Sequence, residues 1–273
     1  MRQVLQMLEK RDSVAVTELA EVFSVSEVTV RSDLSLLASQ GLVSRVRGGV
    51  RPLADGQSEI GFDFRLRLEV ERKRAIARAA AAMVGEGEAV ALDASTTAYY
   101  LALELRAKRE LVVVTNGLLV ATALADAAGI TVLVTGGTLR LFAMSLVGDL
   151  GTEVLRTTRI NKGFLGARGM SPERGLMDLN PDEVRIKQEM ADACEQVYGI
   201  VDSTKWHRSA LLSFVPTKEL TGIVTDSNAP EEEVRAWRAE GVDVISVDPG
   251  PREAFAVRPR DLRRAVHNDG DAS

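Results

Sequence analysis

Residues 24–51, SVSEVTVRSDLSLLASQGLVSRVRGGVR, decide how this chain is read. Ser26 is a good helix N-cap, because its hydroxyl can accept from the free amides of a first turn. Val30, Leu34 and Leu37 recur at i, i+4 and i+7, one apolar stripe of a helix that stops at Gly41. The opposite side carries Val28, Arg31, Ser32 and Ser35, with Thr29 at its edge. A cation, small hydroxyls and a methyl-bearing side chain can contact phosphates, base edges and thymine methyls. Taken alone, the stripe fits equally an ordinary amphipathic helix with a solvated outer face. The residues after it shift that balance, since 42–52 hold Arg45, Arg47 and Arg51 and no acid. Val43, Arg45 and Arg47 are expected on one side of a strand, with Val43 dipping toward the core. Gly48-Gly49 suits a tight turn or a close approach to phosphate. Working outward, a helical pattern at 2–11, Thr17-Glu18-Leu19-Ala20 and a turn at Ser24-Val25 complete the order helix, helix, turn, helix, basic hairpin. One helix in a groove beside a basic ribbon suits duplex DNA.

The rest of the chain looks different. With 273 residues, 45% of them hydrophobic and 27% charged, it has the composition of a soluble globular protein of one or two domains. The net charge of −5 is unevenly placed: residues 1–52 hold seven Lys/Arg against six Asp/Glu, leaving −6 on the remainder. A small DNA-reading face on an acidic body fits a specific binder better than a nucleic-acid coat protein. Cys194 is the single cysteine and His207 and His267 are the two histidines, which argues against an internal disulfide or a metal cluster. No run of about 18 apolar residues and no signal peptide is evident, so a cytoplasmic location without membrane contact is expected.

Residues 53–73 read as a connector. Phe62, Phe64, Leu66 and Leu68 alternate with polar residues, which predicts an extended segment leading into a helix at about 70–84. The crowded Arg65, Arg67, Arg72, Lys73 and Arg74 read as a solvated interdomain face rather than a DNA contact. From 74 to 248 strands and helices alternate: strands at 88–92, 111–115, 131–135, 162–165, 197–202, 223–225 and 242–247, and helices at 75–84, 96–106, 118–127, 147–156, 182–193 and 230–239. Apolar β-branched runs between helices predict a mostly parallel sheet covered on both faces. Residues 249–273 are expected to form a disordered polar tail.

Ligands of open α/β sheets sit beyond the carboxyl ends of the strands. Here those ends carry Asp93-Ala94-Ser95-Thr96-Thr97, Thr115-Asn116-Gly117, Thr135-Gly136-Gly137-Thr138 with Arg140, and Gly166-Ala167-Arg168-Gly169. Lys187 and the run Asp202-Ser203-Thr204-Lys205 add cations. Each alone is weak, since Gly-Gly and Asn-Gly mostly mark turns. Together they predict a polyol-phosphate site: hydroxyls and helix N-terminal amides cradle phosphate, Lys187 supplies charge with Lys205 close by, and Asp93 accepts from sugar hydroxyls.

These motifs in this order resemble the DeoR family of transcriptional regulators over roughly residues 2–248. The carrying residues are Glu18-Leu19-Ala20, Val25-Ser26, the run at 29–34, Gly41-Leu42-Val43 and Arg47-Gly48-Gly49. Further on they are 93–97, Thr115-Asn116, Gly136-Gly137, Phe164-Leu165-Gly166, Gly175-Leu176, Lys187 and 202–205. The resemblance implies an α/β protein: a winged helix-turn-helix fused to a sensor domain similar to ribose-5-phosphate isomerase. It further implies double-stranded operator DNA and a phosphorylated sugar as partners, a homo-oligomer, usually a repressor, and no cofactor. Ser32 replaces the second of two arginines common in the family, and Ser95 replaces a glycine, which narrows the expected pocket and removes easy access to positive φ.

Three function classes follow. A ligand-controlled transcription factor accounts for every motif. A sugar-phosphate isomerase with an appended DNA-binding domain needs a positioned base, and Asp93, Asp178, Asp182 and Glu183 show no pattern that assigns one. A structural DNA-bridging protein would carry more basic charge and no phosphate-like loops.

Overall fold

A computed structural model describes Met7 and residues 13–39, 43–52 and 61–250. The helical pattern at 2–11, apart from Met7, the connector at 53–60 and the tail beyond 250 lie outside the described residues.

The N-terminal region is built around one small core. Strand β1 (Val14–Ala15) leads into α1 (Val16–Phe23), and α2 (Glu27–Ser39) follows a turn in which Ser24 adopts φ 53°. Ser26 caps α2 as expected, its Oγ accepting from the Thr29 amide at 3.1 Å. Val30, Leu34 and Leu37 are buried with Leu19, Val43 and Val50. Strands β2 (Val43–Val46) and β3 (Gly49–Pro52) form the hairpin, with β1 completing a three-stranded sheet. Its turn is one residue earlier than expected. Val46 pairs with Gly49, so Arg47 and Gly48 form the tip and Gly48 supplies φ +82°. Arg47 therefore leaves the strand face that Arg45 occupies. Gly49 serves packing instead of phosphate: a Cβ there would lie 2.3 Å from the Val14 carbonyl oxygen.

The segment at 62–68 is not extended. It forms helix α3 (Phe62–Arg67), followed by α4 (Val70–Ala82). Its apolar residues alternate because they serve different cores, not one strand face. Phe62 is buried, Phe64 packs on the N-terminal core and Leu66 packs on the α/β core.

The α/β region contains β4 (Ala89–Leu92), α5 (Thr96–Leu105), β5 (Leu111–Thr115), α6 (Leu118–Leu124) and β6 (Ile130–Val134). Then come β7 (Thr138–Arg140), β8 (Ser145–Val147), α7 (Glu153–Thr157), β9 (Ile160–Leu165), β10 (Gly169–Ser171) and β11 (Gly175–Asp178). Helix α8 (Pro181–Asp192), β12 (Cys194–Ile200), β13 (Leu212–Val215), β14 (Gly222–Asp226), α9 (Glu231–Ala239) and β15 (Asp243–Val247) complete it. The main sheet has the order β15-β14-β12-β9-β4-β5-β6, and every pairing in it is parallel. Its central strands are buried on both faces: Leu92, Val113 and Phe164 join one apolar cluster, while Ala91, Val114 and Leu165 join the other. That double burial is why these strands read as unbroken apolar runs.

Two expectations fail here. The helix expected at 147–156 is a hairpin strand, a short turn at 149–151 and then α7. Gly151 breaks the run because a Cβ there would lie 2.2 Å from the Thr135 carbonyl oxygen. The antiparallel sheet β10-β11-β13 was not anticipated, its strands being three or four residues long and free of a long apolar run. No helix among the described residues is long and apolar enough to cross a membrane.

Candidate nucleic-acid interface and ligand site

On the outer side of α2, Ser26, Val28, Thr29, Arg31, Ser32 and Ser35 are all exposed, Val28 at 77%. A valine left that open on a helix with a good core stripe has no packing role in the isolated chain. Arg31 is held along the helix by Glu27 at 2.9 Å, and Ser35 donates to the Arg31 carbonyl at 2.7 Å. Arg45 reaches from the hairpin to the Ser35 hydroxyl at 3.3 Å, so helix and wing share one surface. Arg47 and Arg51 are exposed beside it.

At the carboxyl ends of the parallel strands the predicted residues come together, but their pairings differ from those expected. Asp93 is fully buried. Its Oδ1 accepts from the Ser95 amide at 3.1 Å and its Oδ2 from the Gly166 amide at 3.0 Å. Lys187 lies 3.1 Å from the same Oδ2, 2.7 Å from Asp178 and 2.8 Å from the Gly166 carbonyl, to which it donates. An ammonium has three donors, and these three acceptors match them. Burial opposes the charge on Lys187, yet Asp178 and Asp93 outweigh it and hold its pKa above the ordinary lysine value. Burial likewise opposes the charge on Asp178, while Lys187 and Arg168 hold its carboxyl below the usual range. Lys187 thus ties α8 to two strand ends, and Asp93 and Asp178 balance its charge. Asp93 is equally committed to its neighbours.

Ser95 serves its own helix. Its φ is −78°, so no left-handed backbone is required, and its hydroxyl caps α5 by accepting from the Ala98 amide at 3.1 Å. The room for that side chain comes from Gly166, where a Cβ would lie 2.5 Å from the Ser95 Cβ. Thr96 and Thr97 are buried behind it. Arg140 is bound to buried Glu183 at 2.6 Å, and Ser145 donates to the same carboxylate oxygen. Gly136 and Gly137 shape the turn into β7, with φ of 76° and 103°.

Two acceptors remain unmet. Asn116 Oδ1 and Thr135 Oγ1 are buried without a hydrogen-bond partner. They sit at the ends of adjacent strands, joined where the Thr135 amide donates to the Thr115 carbonyl at 3.0 Å. Thr115 Oγ1 itself is occupied by the Gly117 amide at 3.0 Å. Buried polar atoms are rarely left unpaired, so these two mark a place for hydrogen-bond donors.

A group of cations gathers around Lys205, beyond the end of β12. Burial, together with repulsion from Arg208, Arg168 and Arg65, lowers the Lys205 pKa to about 8, against the pull of Asp202. Burial lowers Arg65 to about 10, with Arg168 adding repulsion and Asp178, Asp93 and Glu183 opposing it. Lys73 is also brought to about 8, by burial and by Lys205 and Arg65, again against Asp202. Sequence reasoning set Arg65 aside as part of a solvated face, gave Arg168 no role and overlooked Arg208. The helical turn at 62–67 could have been found from the i, i+4 pair Phe62 and Leu66. The approach of Arg208 to Lys205 has no signature beyond their spacing.

Asp178 and Glu183 are each locked in an ion pair, and Asp182 is exposed. None of these three carboxylates is placed as a free base.

Residues 1–54 match the profile described as the DeoR-like helix-turn-helix domain, and residues 68–227 match the DeoR C terminal sensor domain. An Escherichia coli O157:H7 protein provisionally named as the aga operon transcriptional repressor is 34% identical, over 90% of this chain and 92% of its own length. The L-fucose operon activator of Haemophilus influenzae is 28% identical, over 84% of this chain and 91% of its own. Among solved structures, ribose 5-phosphate isomerase A from Neisseria gonorrhoeae aligns with a TM-score of 0.37 at 17% identity, covering 50% of this chain and 53% of that one.

Proposed function

The chain belongs to the DeoR family of DNA-binding transcription regulators, and from that premise we propose that it is a repressor of sugar-catabolism genes, controlled by a phosphorylated sugar. The observation that carries the ligand class is the presence of opposite needs at the carboxyl ends of the parallel strands. Lys205, Arg168, Arg208 and Arg65 repel one another, while Asn116 Oδ1 and Thr135 Oγ1 lack donors. A phosphoryl group meets the first need and sugar hydroxyls meet the second. Lys205 and Arg168 are assigned to the phosphate, with the 93–97 loop and Gly136-Gly137 as walls. Lys187 is reassigned as a positioning residue that fixes Asp93 and Gly166.

The DNA is assigned to Arg31, Arg45 and Arg47 for phosphates and to Ser32, Thr29 and Ser35 for base edges, with Val28 against thymine methyls. One winged helix touches few base pairs, so a homo-oligomer presenting paired half-sites is part of the proposal. The sign of regulation follows the aga relative, and the fucose relative shows that activation is the competing outcome. Differential scanning fluorimetry of the full chain against sugar phosphates and the same sugars without phosphate tests the ligand class. A sugar phosphate should raise the melting temperature and its free sugar should not. Equal shifts from both would overturn the reading.

A further inference from the structure

Strand β6 forms one edge of the main sheet and pairs only with β5 among the described residues. Four of its five residues, Ile130, Val132, Leu133 and Val134, are apolar, yet none of the five is buried. The Gly129 carbonyl accepts from the Leu111 amide, and the Thr135 amide donates to the Thr115 carbonyl. Odd-numbered residues therefore face β5, and Val132 and Val134 turn their amides and carbonyls away from it. Edge strands are commonly guarded by charge, proline or a bulge, and 130–134 carries none of these. An apolar patch continues from this edge. Of the five large apolar side chains exposed on the α/β region, four lie within 134–150: Val134, Leu139, Leu141 at 74% and Leu150 at 90%. The chain after β8 folds back onto the end of β6, bringing Gly151 against the Thr135 carbonyl, so Leu150 and Val134 lie on neighbouring segments. The two charged residues of 129–151 are paired within the chain, Arg140 with Glu183 at 2.6 Å and Asp149 with Arg185 at 2.8 Å.

We propose that this edge docks a second copy of the chain, two β6 strands pairing antiparallel about a two-fold axis at Val132. The inference rests on the homo-oligomer proposed above and assigns its surface. In that register Val132 exchanges both backbone bonds with Val132 of the partner subunit, and the Val134 amide meets the carbonyl of Ile130 of the partner subunit. The Ile130 amide is not needed, since it already donates to the Ala127 carbonyl. A two-fold contact must be complementary to itself, and an uncharged strand meets that condition because no like charges are brought together. The paired state of Arg140 and Asp149 leaves the patch little to offer a nucleic acid or a charged peptide, which argues for the copy over those partners. The chain beyond 250 leaves from β15, at the opposite edge of the sheet, which argues for the copy over the protein's own C-terminal segment. Pairing of this kind joins two seven-stranded sheets into one and fixes the two α/β regions relative to each other, as paired DNA half-sites require.

Sedimentation of the full chain and disulfide trapping test this together. The wild type should sediment as a dimer or a larger even-numbered assembly at micromolar concentration. Val134→Lys places a cation on the edge and should raise the dissociation constant of the pair about tenfold or more. Leu150→Glu lies outside any strand on a side chain that is almost fully exposed, so it should weaken the pair without disturbing the fold, and it keeps the test valid if Val134→Lys does not fold. For trapping, Val132→Cys is made in a Cys194→Ala background. Residues directly opposite in a hydrogen-bonded antiparallel pair have Cα atoms about 5.5 Å apart, within the range a disulfide spans. Mild oxidation should therefore give a covalent dimer of Val132→Cys, and none of Glu232→Cys on α9, which packs at the opposite edge. A wild type that is monomeric with and without operator DNA overturns the oligomer and this inference with it. A wild-type oligomer that persists in both charge variants and gives no Val132→Cys crosslink overturns the inference alone and places the contact elsewhere. A monomer whose Val132 and Val134 amides resist hydrogen exchange shows the edge covered by the protein's own chain, which also overturns it.

Discussion

In the N-terminal region Arg31, Arg45, Arg47 and Arg51 stand exposed, whereas at the strand ends of the α/β region Lys187, Asp93 and Asp178 are buried and bound to one another, and buried Glu183 is bound to Arg140. The same residue types serve opposite purposes. An exposed arginine beside a helix keeps its hydration and is available to a phosphate, so removing it changes binding and leaves the fold nearly intact. A buried lysine has been taken from water and is tolerated because its carboxylates are in place. Its removal leaves those carboxylates uncompensated. The difference teaches that a cation near a ligand site is a ligand contact only after its own partners have been counted.

The largest effect should come from the buried set. Lys187→Ala strands Asp93 and Asp178 and should cost about 3–5 kcal/mol of stability, read as a fall in urea midpoint. Adding Asp178→Asn to Lys187→Ala should recover part of that loss. A Lys187→Ala protein as stable as the wild type would erase the distinction between the two regions. Next come the exposed arginines. Replacing Arg31, Arg45 and Arg47 together by Ala should lower the slope of log affinity against log salt by about three units with no loss of melting temperature. Ser32 substitutions should instead change which operator is preferred. A triple variant that binds DNA as the wild type does would remove these side chains from the interface.

How much of this was legible follows from the same contrast. The stripe Val30, Leu34, Leu37 and the cap at Ser26 act locally, and the sequence reading located both. The parallel strands were legible because burial on two faces leaves continuous apolar runs. Helix α3 was misread because Phe62, Phe64 and Leu66 pack on separate cores, a tertiary fact that imitates strand alternation. The loops at 93–97, 115–117 and 166–169 were found as a group, but their bonding was not: nothing in the spacing of Asp93, Asp178 and Lys187 tells that three residues 85 and nine positions apart will satisfy one another. Arg208 joins Lys205 through a turn whose amide bonds, Lys205 to Asp202 and Arg208 to Lys205, appear only in the fold.

The pH dependence sharpens the comparison at the ligand site. Lys205 has a pKa of about 8 in the fold against 10.5 ordinarily, and Lys73 beside it is at about 8 as well. Below pH 8 the Lys205 ammonium is already charged when an anion arrives. Between about 8 and 10.5 the free fold has lost that proton and the unfolded chain has not, so ligand-free stability rises with pH while anion binding must take a proton up. Phosphate affinity should therefore fall above pH 8, by at most about tenfold per unit for each proton, as measured by calorimetry. A pH-independent affinity from 7 to 9.5 would show that Lys205 does not meet the anion. The smallest effect is at Ser95. Ser95→Ala removes the cap of α5 and should cost about 1 kcal/mol, while Ser95→Gly should cost only a few tenths; a larger loss in the glycine variant would give the side chain a role beyond capping.

The central claim is that a phosphoryl group held by Lys205 and its neighbouring arginines controls the grip of α2 and the wing on DNA. It is tested most directly by titrating the full chain onto an operator selected from random duplexes, with and without a sugar phosphate that stabilises the protein. The account predicts that the sugar phosphate lowers wild-type operator affinity by about 5- to 150-fold, and that Lys205→Ala binds the same operator normally but does not respond. A Lys205→Ala protein released from the operator as readily as the wild type would contradict it.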